Sequence, residues 1–332
     1  MTPGVRLASG AVRQAETPAL PRSGWLVAVL ILGAAAQLGA QQAAKKGPNK
    51  PARAPDVANA SYGPHERNVL DLWKAKSSRP APLVIHIHGG GFTQGDKSGI
   101  SAVLLEGCLR EGFSVASINY RYSTIAPYPA PMADSARAVQ FLRLHAAEWN
   151  LDPKAFGATG GSAGAGISLW IGFHDDMAEP KSSDPLKRQS TRLSAMAVTN
   201  GQTTYDPRTI HSLIDPTTAR IGALRTLFNV KQEDPLQDRE AFKRYEEGSA
   251  VTHLTKDDPP VLLQYSRGNT PMPPENTGIG IHHPRFGYFL KEKMDKLGIE
   301  CVVKTADDYT GKPAGQQQRD IVEFFKQHFP GK

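Results

Sequence analysis

The stretch ATGGSAGAG, at positions 158–166, has the residue types and spacing that most clearly suggest chemistry in this chain. Within it, Ser162 lies in a G-x-S-x-G pattern, which is typical of a serine nucleophile on a tight turn from a strand into a helix. A serine hydroxyl is a weak nucleophile alone and needs a neighbouring base that removes its proton. The rest of the sequence must therefore supply a base, a group that orients it, and donors for a developing oxyanion.

A second glycine run, HGGGF at positions 88–92, follows a β-branched apolar stretch. Backbone N–H groups that no side chain obstructs can stabilise the negative oxygen that forms when a carbonyl is attacked. We therefore expect the N–H groups of Gly90 and Gly91, together with that of Ala163 beside the nucleophile, to form an oxyanion hole.

The apolar runs that follow Ser61 alternate between strand-like and helix-like spacing. The predicted strands are 68–73, 82–89, 113–121, 155–160, 192–200, 260–266 and 300–306. The predicted helices are 98–112, 132–150, 165–173, 285–298 and 315–329. This alternation predicts an α/β fold with a mostly parallel central sheet and helices on both faces.

Residues 202–257 interrupt this rhythm, since they are polar and helix-prone and lie between two predicted strands. Ligands of open α/β sheets bind outside the carboxyl ends of the strands, where insertions form lids. We therefore expect this segment to be a lid over the site.

The formal net charge of +7 is concentrated near the N-terminus. Residues 1–40 carry a net charge of +2 and residues 41–57 one of +3, which leaves +2 on the remaining chain. A basic surface for a polyanion is not indicated on the body of the protein, and we expect no nucleic-acid partner.

The N-terminal segment has the composition of a targeting sequence. Residues 24–36, GWLVAVLILGAAA, are apolar, follow Arg22 and precede small residues that end at Ala40. Because this run is shorter than the ~20 residues of a bilayer span, we predict a signal peptide over 1–40 and a secreted or periplasmic protein. A flexible linker over 41–57 and one domain over 58–332 complete the predicted organisation. The alternative is an uncleaved membrane anchor, the one case in which a membrane would be a partner.

The two cysteines, Cys108 and Cys301, do not form the pattern of a disulfide framework. Export would permit a bridge between them, but nothing in their spacing requires one. We therefore expect two buried free thiols.

The order of the two glycine motifs, HGGGF and then GGSAG some seventy residues later, resembles the α/β-hydrolase fold. More narrowly, it resembles the lipase and carboxylesterase branch that includes bacterial acetylxylan and feruloyl esterases. The resemblance, which covers Ser61 to the C-terminus, implies an acyl-enzyme on Ser162 with no cofactor and no metal. It also implies that His88 shapes the glycine loop and is not the base. The implied substrate is a short acyl ester, either a small molecule or an acylated polysaccharide.

Two positions depart from the pattern of that family, whose chain order is serine, acid, histidine. Asn269 stands where the acid is expected, and Tyr309 stands where the histidine is expected. An asparagine can orient a histidine but adds no charge. A tyrosine, with an ordinary pKa near 10, is a poor base at neutral pH.

The sequence offers a replacement for both groups by an exchange of position. His282 and His283 lie in the loop that normally supplies the acid, and Asp307 and Asp308 lie in the loop that normally supplies the histidine. The hypothesis is that His282 or His283 is the base and that Asp308 or its neighbour orients it, since triads are defined by geometry and not by chain order. The alternative is that HHPRF only begins a helix and that the two aspartates form a solvated turn.

Two classes of function follow from these residues. The first is a serine ester hydrolase, which the two intact glycine motifs favour. The second is a pseudo-hydrolase that keeps the fold and serves as a binding protein, which Asn269 and Tyr309 favour. A third hypothesis, a lipid-surface protein, depends on the N-terminal segment alone.

Overall fold

The computed structural model describes residues 53–232, 234–268 and 270–330. The predicted signal peptide at 1–40 and residues 41–52 of the predicted linker lie outside this range. The first strand begins at Val57, and the N–H of Asp56 donates to Leu72 O over 2.8 Å. The folded domain therefore starts a few residues before the predicted boundary at residue 58.

One sheet of eight strands forms the centre of the described residues, and its order is β1-β2-β4-β3-β5-β6-β7-β8. The strands are β1 Val57–Ser61, β2 Val69–Trp73, β3 Ala81–Ile87, β4 Ser114–Ile118, β5 Leu151–Gly161, β6 Ala195–Thr199, β7 Val261–Gln264 and β8 Cys301–Lys304. Strand β2 alone runs opposite to the others, antiparallel to β1 and β4, and the remaining strand pairs are parallel. The predicted mostly parallel sheet is confirmed.

The described residues form nine helices, and five of these overlap the five predicted helices. They are α1 Ala102–Arg110, α2 Ala130–Leu144, α3 Ala163–Phe173, α4 Pro207–Leu213, α5 Gly222–Leu227, α6 Phe242–Gly248, α7 Thr277–Gly280, α8 Arg285–Leu297 and α9 Gln316–His328. Helix α2 ends six residues before the predicted end, since residues 145–150 form turns. None of these helices is long and apolar enough to cross a membrane.

Both faces of the sheet are covered by helices, as the alternation of its apolar side chains requires. Along β3, Leu83 and Ile85 belong to a core cluster that includes residues of α2, α3 and α8, whereas Val84 belongs to a second cluster with residues of α1 and α9. The central strands are therefore buried on both sides, and the carboxyl ends of the parallel strands are left to form a site.

The segment between β6 and β7 forms the short helices α4, α5 and α6 together with three 3-10 turns. Its buried side chains, such as Tyr205 and Leu227, belong to the same core cluster as α3. The segment is therefore packed onto the carboxyl-end side of the sheet and contributes to the walls of the pocket described below.

The two cysteines are buried and free. Cys108 lies in α1 and Cys301 lies in β8, and neither forms a disulfide. The prediction of two buried thiols is confirmed.

A buried ion pair joins β2 to the segment that follows the HGGGF motif. Lys97 Nζ lies 2.6 Å from Asp71 Oδ2, and both side chains are about nine-tenths buried. The backbone of Lys97 is also held, because its N–H donates to Asn119 Oδ1 and its carbonyl accepts from Ser117 Oγ. These contacts tie the end of the glycine loop to β4.

We predict that Lys97→Met lowers the free energy of unfolding by about 3 kcal/mol, because it leaves the Asp71 carboxylate buried without its cation. Urea unfolding followed by circular dichroism measures the change. The matched control is Lys291→Met, which removes an exposed pair with Asp295 and should cost less than about 0.5 kcal/mol. Equal unfolding midpoints for Lys97→Met and the unmodified protein would contradict the prediction.

Candidate active site

Ser162 lies on a strained turn between β5 and α3. Its backbone angles are φ 53° and ψ −118°, a region that residues with a side chain seldom occupy. Its N–H donates to Thr199 O over 2.9 Å, and its carbonyl accepts from Gly166 N over 3.0 Å. The turn is therefore anchored to β6 on one side and to the first turn of α3 on the other.

The glycines around Ser162 are required by the close approach of α3 to the end of β3. A Cβ atom at Gly164 would lie 2.0 Å from the carbonyl oxygen of Ile87, and one at Gly160 would lie 2.5 Å from the same atom. Any side chain at these positions would push the helix away from the strand. The G-x-S-x-G spacing thus follows from the packing that holds Ser162 at the sheet edge.

The structure brings His282 to Ser162. The Nε2 atom of His282 lies 2.9 Å from Ser162 Oγ, and its Nδ1 atom lies 2.9 Å from the carbonyl oxygen of Gly278. Because a carbonyl oxygen can only accept, Nδ1 carries the proton and Nε2 presents its lone pair to the serine hydroxyl. This is the arrangement that a general base requires.

Two side chains hold the segment that carries His282. Asn276 Oδ1 accepts from Ile279 N over 3.0 Å and caps α7, the four-residue helix whose Gly278 carbonyl contacts the imidazole. Gln202, which is 3% exposed, donates from Nε2 to the carbonyl of Ile281 over 2.7 Å. The backbone is therefore fixed on both sides of the imidazole contact.

Burial lowers the pKa of His282 below its ordinary value of 6.5, and the positive charge of Arg267 lowers it further. The hydrogen bond to the Gly278 carbonyl acts in the opposite direction, since it favours the charged ring. The imidazole is consequently neutral at pH 7 and able to accept a proton.

His283, the other predicted candidate for the base, has a structural position. It is 2% exposed, its Nδ1 accepts from the N–H of Arg285, and its Nε2 lies 3.4 Å from Thr270 O. Both ring nitrogens therefore face backbone groups of the same loop and the start of α8. The prediction of His283 as an alternative base is therefore wrong.

The structure does not place the predicted acid, Asp308, beside His282. Asp308 Oδ2 accepts from the N–H of Thr305 over 2.7 Å and from its hydroxyl over 3.2 Å, which caps the 3-10 helix Ala306–Tyr309. Asp307 packs against Gly268, where a Cβ atom would lie 2.4 Å from its carboxylate. Local capping keeps Asp308 on its own turn, and the Gly278 carbonyl takes the place at His282 that the hypothesis gave to it.

Tyr309, which stands at the usual histidine position, belongs to a polar network away from Ser162. Its hydroxyl donates to Asp320 and accepts from Gln264, and burial raises its pKa. It is not available as a base. Asn269, which stands at the usual acid position, lies outside the described residues.

The predicted oxyanion residues lie beside the nucleophile. Gly90 and Gly91 adopt positive φ angles of 105° and 58°, and the carbonyl of Gly90 accepts from the N–H groups of Thr93 and Gln94. Among the described residues, the N–H groups of Gly90, Gly91 and Ala163 have no acceptor. They remain free to bind a negative oxygen.

His88 holds the glycine loop, as the resemblance implies. Its ring stacks on Tyr120 with centroids 4.3 Å apart, its Nδ1 lies 2.8 Å from Gly89 O, and its carbonyl accepts from the Tyr120 hydroxyl. Burial lowers its pKa to about 4, so the ring is neutral.

Ser162 and His282 open into a pocket of about 590 Å³, here called the nucleophile pocket. Its apolar walls come from the glycine loop, the segment between β6 and β7, and the loop before His282. The apolar side chains are Phe92, Ala163, Tyr205, Ile221, Ala223, Leu224 and Ile281, and the polar side chains Thr93, Gln94, Asn200 and Gln202 also line the pocket. Such a lining suits a small apolar group next to the reacting atoms.

Sequence reasoning missed Gln202, Asn276 and Gly278. The one local signal was Asn276, since asparagine is a preferred helix N-cap residue. Gly278 acts through its backbone carbonyl, which is present at every position and so leaves no mark in a sequence. Gln202 acts through its side chain on the carbonyl of Ile281, a contact 79 residues away in the chain that no local pattern indicates.

Comparison with known proteins gives a family match and several related esterases. The BD-FAE family matches residues 70–277. The probable carboxylic ester hydrolase LipM of Mycobacterium tuberculosis is 28% identical over 217 residues, which cover 64% of this chain and 48% of LipM. Esterase LipQ of the same organism is 34% identical over 119 residues, which cover 35% of this chain and 28% of LipQ. The chain thus spans about half or less of these relatives.

Solved structures share the fold. A truncated carbohydrate esterase from gut microbiota has a TM-score of 0.62 and 22% identity, and covers 85% of this chain and 99% of its own. An acetyl ester-xyloside bifunctional hydrolase from Caldicellulosiruptor lactoaceticus has a TM-score of 0.64 and 18% identity, with 83% and 98% covered. These matches confirm the predicted α/β-hydrolase fold.

We predict that His282 titrates below 6.5 and carries its proton on Nδ1 when neutral, whereas neutral His283 carries its proton on Nε2. The reason is the hydrogen-bond partner of each ring nitrogen. Long-range ¹H–¹⁵N NMR spectra recorded over a pH series measure both properties, with His282→Gln and His283→Gln for assignment. A His282 titration at or above 6.5, or a neutral ring protonated on Nε2, would show that the described contacts do not persist in solution.

Proposed function

Because the chain belongs to the BD-FAE family of α/β-hydrolases, we propose that it is a serine ester hydrolase that forms an acyl-enzyme on Ser162. The observation that carries the proposal is the 2.9 Å contact between Ser162 Oγ and His282 Nε2. The strained turn and the free N–H groups beside it add support, since a protein that only binds has no use for them. The names of LipM and LipQ agree with this activity.

In the acylation step, Ser162 Oγ attacks the ester carbonyl carbon while its proton moves to His282 Nε2. The carbonyl oxygen becomes an anion that accepts hydrogen bonds from the N–H groups of Gly90, Gly91 and Ala163. The bond to the alcohol oxygen then breaks, and the imidazolium gives its proton to that oxygen. The products are the acyl-enzyme and a free alcohol.

In the deacylation step, a water molecule takes the place of the alcohol. His282 removes a proton from the water as the water oxygen attacks the acyl carbon, and the same N–H groups stabilise the new oxyanion. The bond to Ser162 Oγ breaks and the proton returns to the serine. The carboxylic acid leaves, and the site is restored.

The Gly278 carbonyl supplies part of what an acid supplies in a complete triad. In such triads the carboxylate fixes the histidine tautomer and also stabilises the imidazolium by its charge. Here the carbonyl fixes the tautomer, but it carries only a partial charge. Arg267 opposes the imidazolium, although its exposure weakens the effect by screening. We therefore expect an active enzyme that is slower than one with a full triad.

The nucleophile pocket offers space for the acyl group beside Ser162, with a volume of about 590 Å³ and apolar side chains such as Phe92 and Leu224. That the acyl group is short is carried over from the sequence resemblance. One structural relative is described as an acetyl ester-xyloside hydrolase, and on that basis acylated polysaccharides or their fragments are included among the proposed substrates. The predicted signal peptide would place the protein where such polymers occur.

The competing function is a binding protein that has lost turnover. It is favoured by one observation, the lack of a carboxylate at His282 Nδ1 among the described residues. A reagent that reacts only with an activated serine separates the two functions.

We predict that a fluorophosphonate probe labels the protein at Ser162 and does not label Ser162→Ala, because such probes require an activated hydroxyl. His282→Ala should lower the labelling rate by roughly 10² to 10⁴, the usual contribution of a general base. Gel fluorescence against time measures the rates. Absence of labelling in the unmodified protein would reject the hydrolase and leave the binding protein.

The matched controls are the candidates that the structure places elsewhere. His283→Ala and Asp308→Asn should keep the labelling rate of the folded protein within about threefold, since neither side chain contacts Ser162 or His282. If Asp308→Asn lowers the labelling rate as much as His282→Ala does, this placement is contradicted and the predicted exchange, in which Asp308 orients the base, is supported.

We predict that kcat/KM for p-nitrophenyl acetate falls at acid pH with an apparent pKa below 6.5. The base must be neutral, and burial lowers the pKa of His282, so activity is complete near neutral pH and is lost as His282 becomes protonated. Initial rates over a pH series at constant ionic strength measure the profile. An acid limb centred above 6.5 would mean that the imidazolium is stabilised by a carboxylate.

A further inference from the structure

Arg67, in the loop between β1 and β2, extends to the glycine loop at residues 88–95. Its Nε donates to the carbonyl of Tyr120 over 2.8 Å, and its Nη2 donates to the carbonyl of Gly95 over 3.2 Å. The guanidinium also lies over the ring of Tyr122, with Cζ 3.7 Å from the ring centroid. These three contacts fix the planar guanidinium beside the end of the glycine loop.

The same Nη2 atom lies 3.2 Å from Nε2 of His88 at the start of the glycine loop. Because a guanidinium has no acceptor, Arg67 donates and His88 Nε2 accepts. At the other ring nitrogen, His88 Nδ1 lies 2.8 Å from the carbonyl oxygen of Gly89, which can only accept, so Nδ1 carries the proton. The two contacts therefore require the same neutral form of the imidazole.

The charge of Arg67 favours that neutral form. Burial is the main cause that lowers the pKa of His88 to about 4, and the positive charge of Arg67 lowers it further, against the opposing effects of the Gly89 carbonyl and Asp96. A protonated ring would direct a hydrogen on Nε2 at the guanidinium and could no longer accept from it.

The proton on His88 Nδ1 determines the orientation of the peptide between Gly89 and Gly90. In a trans peptide the carbonyl oxygen and the following N–H point to opposite sides. Since the Gly89 carbonyl is held by the His88 ring, the N–H of Gly90 points away from that ring. With the proton on Nε2 instead, two acceptors would face each other over 2.8 Å, and the peptide would have to rotate. The form of the imidazole thus directs one of the proposed oxyanion donors.

The glycine loop lies directly against the nucleophile turn. A Cβ atom at Gly89 would lie 2.6 Å from the carbonyl oxygen of Gly161 and 3.6 Å from Ser162 Cβ. An oxyanion donor is effective only about 3 Å from the position that the oxyanion will occupy. A rotation of the Gly89–Gly90 peptide would therefore weaken catalysis even if Ser162 and its base kept their positions.

We propose that Arg67 is a positioning residue of the oxyanion hole, which acts through His88 by holding the imidazole in the form that binds the Gly89 carbonyl. The proposal rests on the proposed ester hydrolase activity. It adds to the site a residue of the β1–β2 loop that is absent from the lining of the nucleophile pocket.

The first test is the activity of Arg67→Met on p-nitrophenyl acetate. Methionine keeps an extended side chain but removes the charge and the donors, so kcat and kcat/KM should both fall about tenfold while KM changes little. The loss is smaller than the roughly 10² to 10³ expected for removal of a donor, because the Gly90 N–H is displaced and not deleted. Arg137→Met is the matched control, since Arg137 Nε also donates to a backbone carbonyl, that of Tyr62 over 2.8 Å. It should keep the kcat of the unmodified protein.

A double-mutant cycle tests whether Arg67 acts through His88. His88→Leu removes both ring nitrogens at similar volume and should lower kcat by itself. Adding Arg67→Met to His88→Leu should then change kcat less than about twofold, because the residue through which Arg67 acts is already gone.

Long-range ¹H–¹⁵N NMR spectra give a signature that a merely structural arginine would not change. In Arg67→Met, the resonance of the unprotonated Nε2 of His88 should move downfield, because this lone pair has lost its donor. The resonances of His282 should stay in place, which separates an effect on the oxyanion hole from one on the base. Should Arg67→Met fail to fold, Arg67→Gln takes its place with the same expected results.

The proposal is overturned if the Arg67 variant keeps full kcat, or if Arg137→Met loses as much. It is equally overturned if the losses in Arg67→Met and His88→Leu multiply in the double variant, or if the His88 Nε2 resonance stays unchanged.

Failure of the proposed function gives a different result, in which the unmodified protein neither cleaves the ester nor reacts with a fluorophosphonate. The spectra then decide on Arg67 alone. A downfield shift of His88 Nε2 in Arg67→Met but not in Arg137→Met would support its hold on the glycine loop, and unchanged spectra would reject it.

Discussion

The close packing of α3 against the end of β3 is the constraint on which the site depends. A Cβ atom at Gly160 or Gly164 would collide with the carbonyl of Ile87, so only a glycine-rich turn lets the helix begin there. The same packing forces Ser162 into a positive φ and exposes its hydroxyl at the sheet edge. The N–H of Ala163, at the start of α3, then lies beside the serine hydroxyl without an acceptor among the described residues. The positions of the nucleophile and of one oxyanion donor thus follow from one contact between a helix and a strand.

His282 reaches Ser162 from the loop after β7 and not from the loop after β8, where the histidine is expected. The geometry of the sheet explains why either loop can supply the base. The loops that follow β7 and β8 both lie at the carboxyl edge of the sheet, so either can approach Ser162. In the loop after β7, the short helix α7 turns the chain so that Gly278 and His282, four residues apart, face each other. A helical turn thereby orients the base with its own backbone. The hydrogen bond from His282 Nδ1 to the Gly278 carbonyl thus stands where a complete triad has a carboxylate.

Much of the fold and half of the site could be predicted from the sequence, because local motifs encode them. The strands were recognised from apolar runs, and Ser162 with its glycines from a spacing that packing demands. Strand β1 was missed because VANAS has one β-branched residue and little apolar alternation. The base was narrowed to two adjacent histidines and no further, since which of them faces the serine depends on the turn of α7. The prediction that Asp308 orients the base was wrong, because the backbone carbonyl of Gly278 orients His282 and no residue type reveals such a role.

The burial that keeps the base neutral also determines which charge of substrate the site favours. The imidazoles of His86, His88 and His282 are neutral because burial lowers their pKa values, and Asp96, beside His88, already accepts hydrogen bonds from Ser98 N and Asn119 Nδ2. Apart from the exposed Arg267, a charged substrate would therefore lose its hydration without gaining a partner of opposite sign, whereas a neutral ester loses less. The same low-polarity surroundings strengthen the hydrogen bonds from the free N–H groups to the oxyanion. A site that lacks a carboxylate at its base thus still has a source of transition-state stabilisation, and that source works best on uncharged esters.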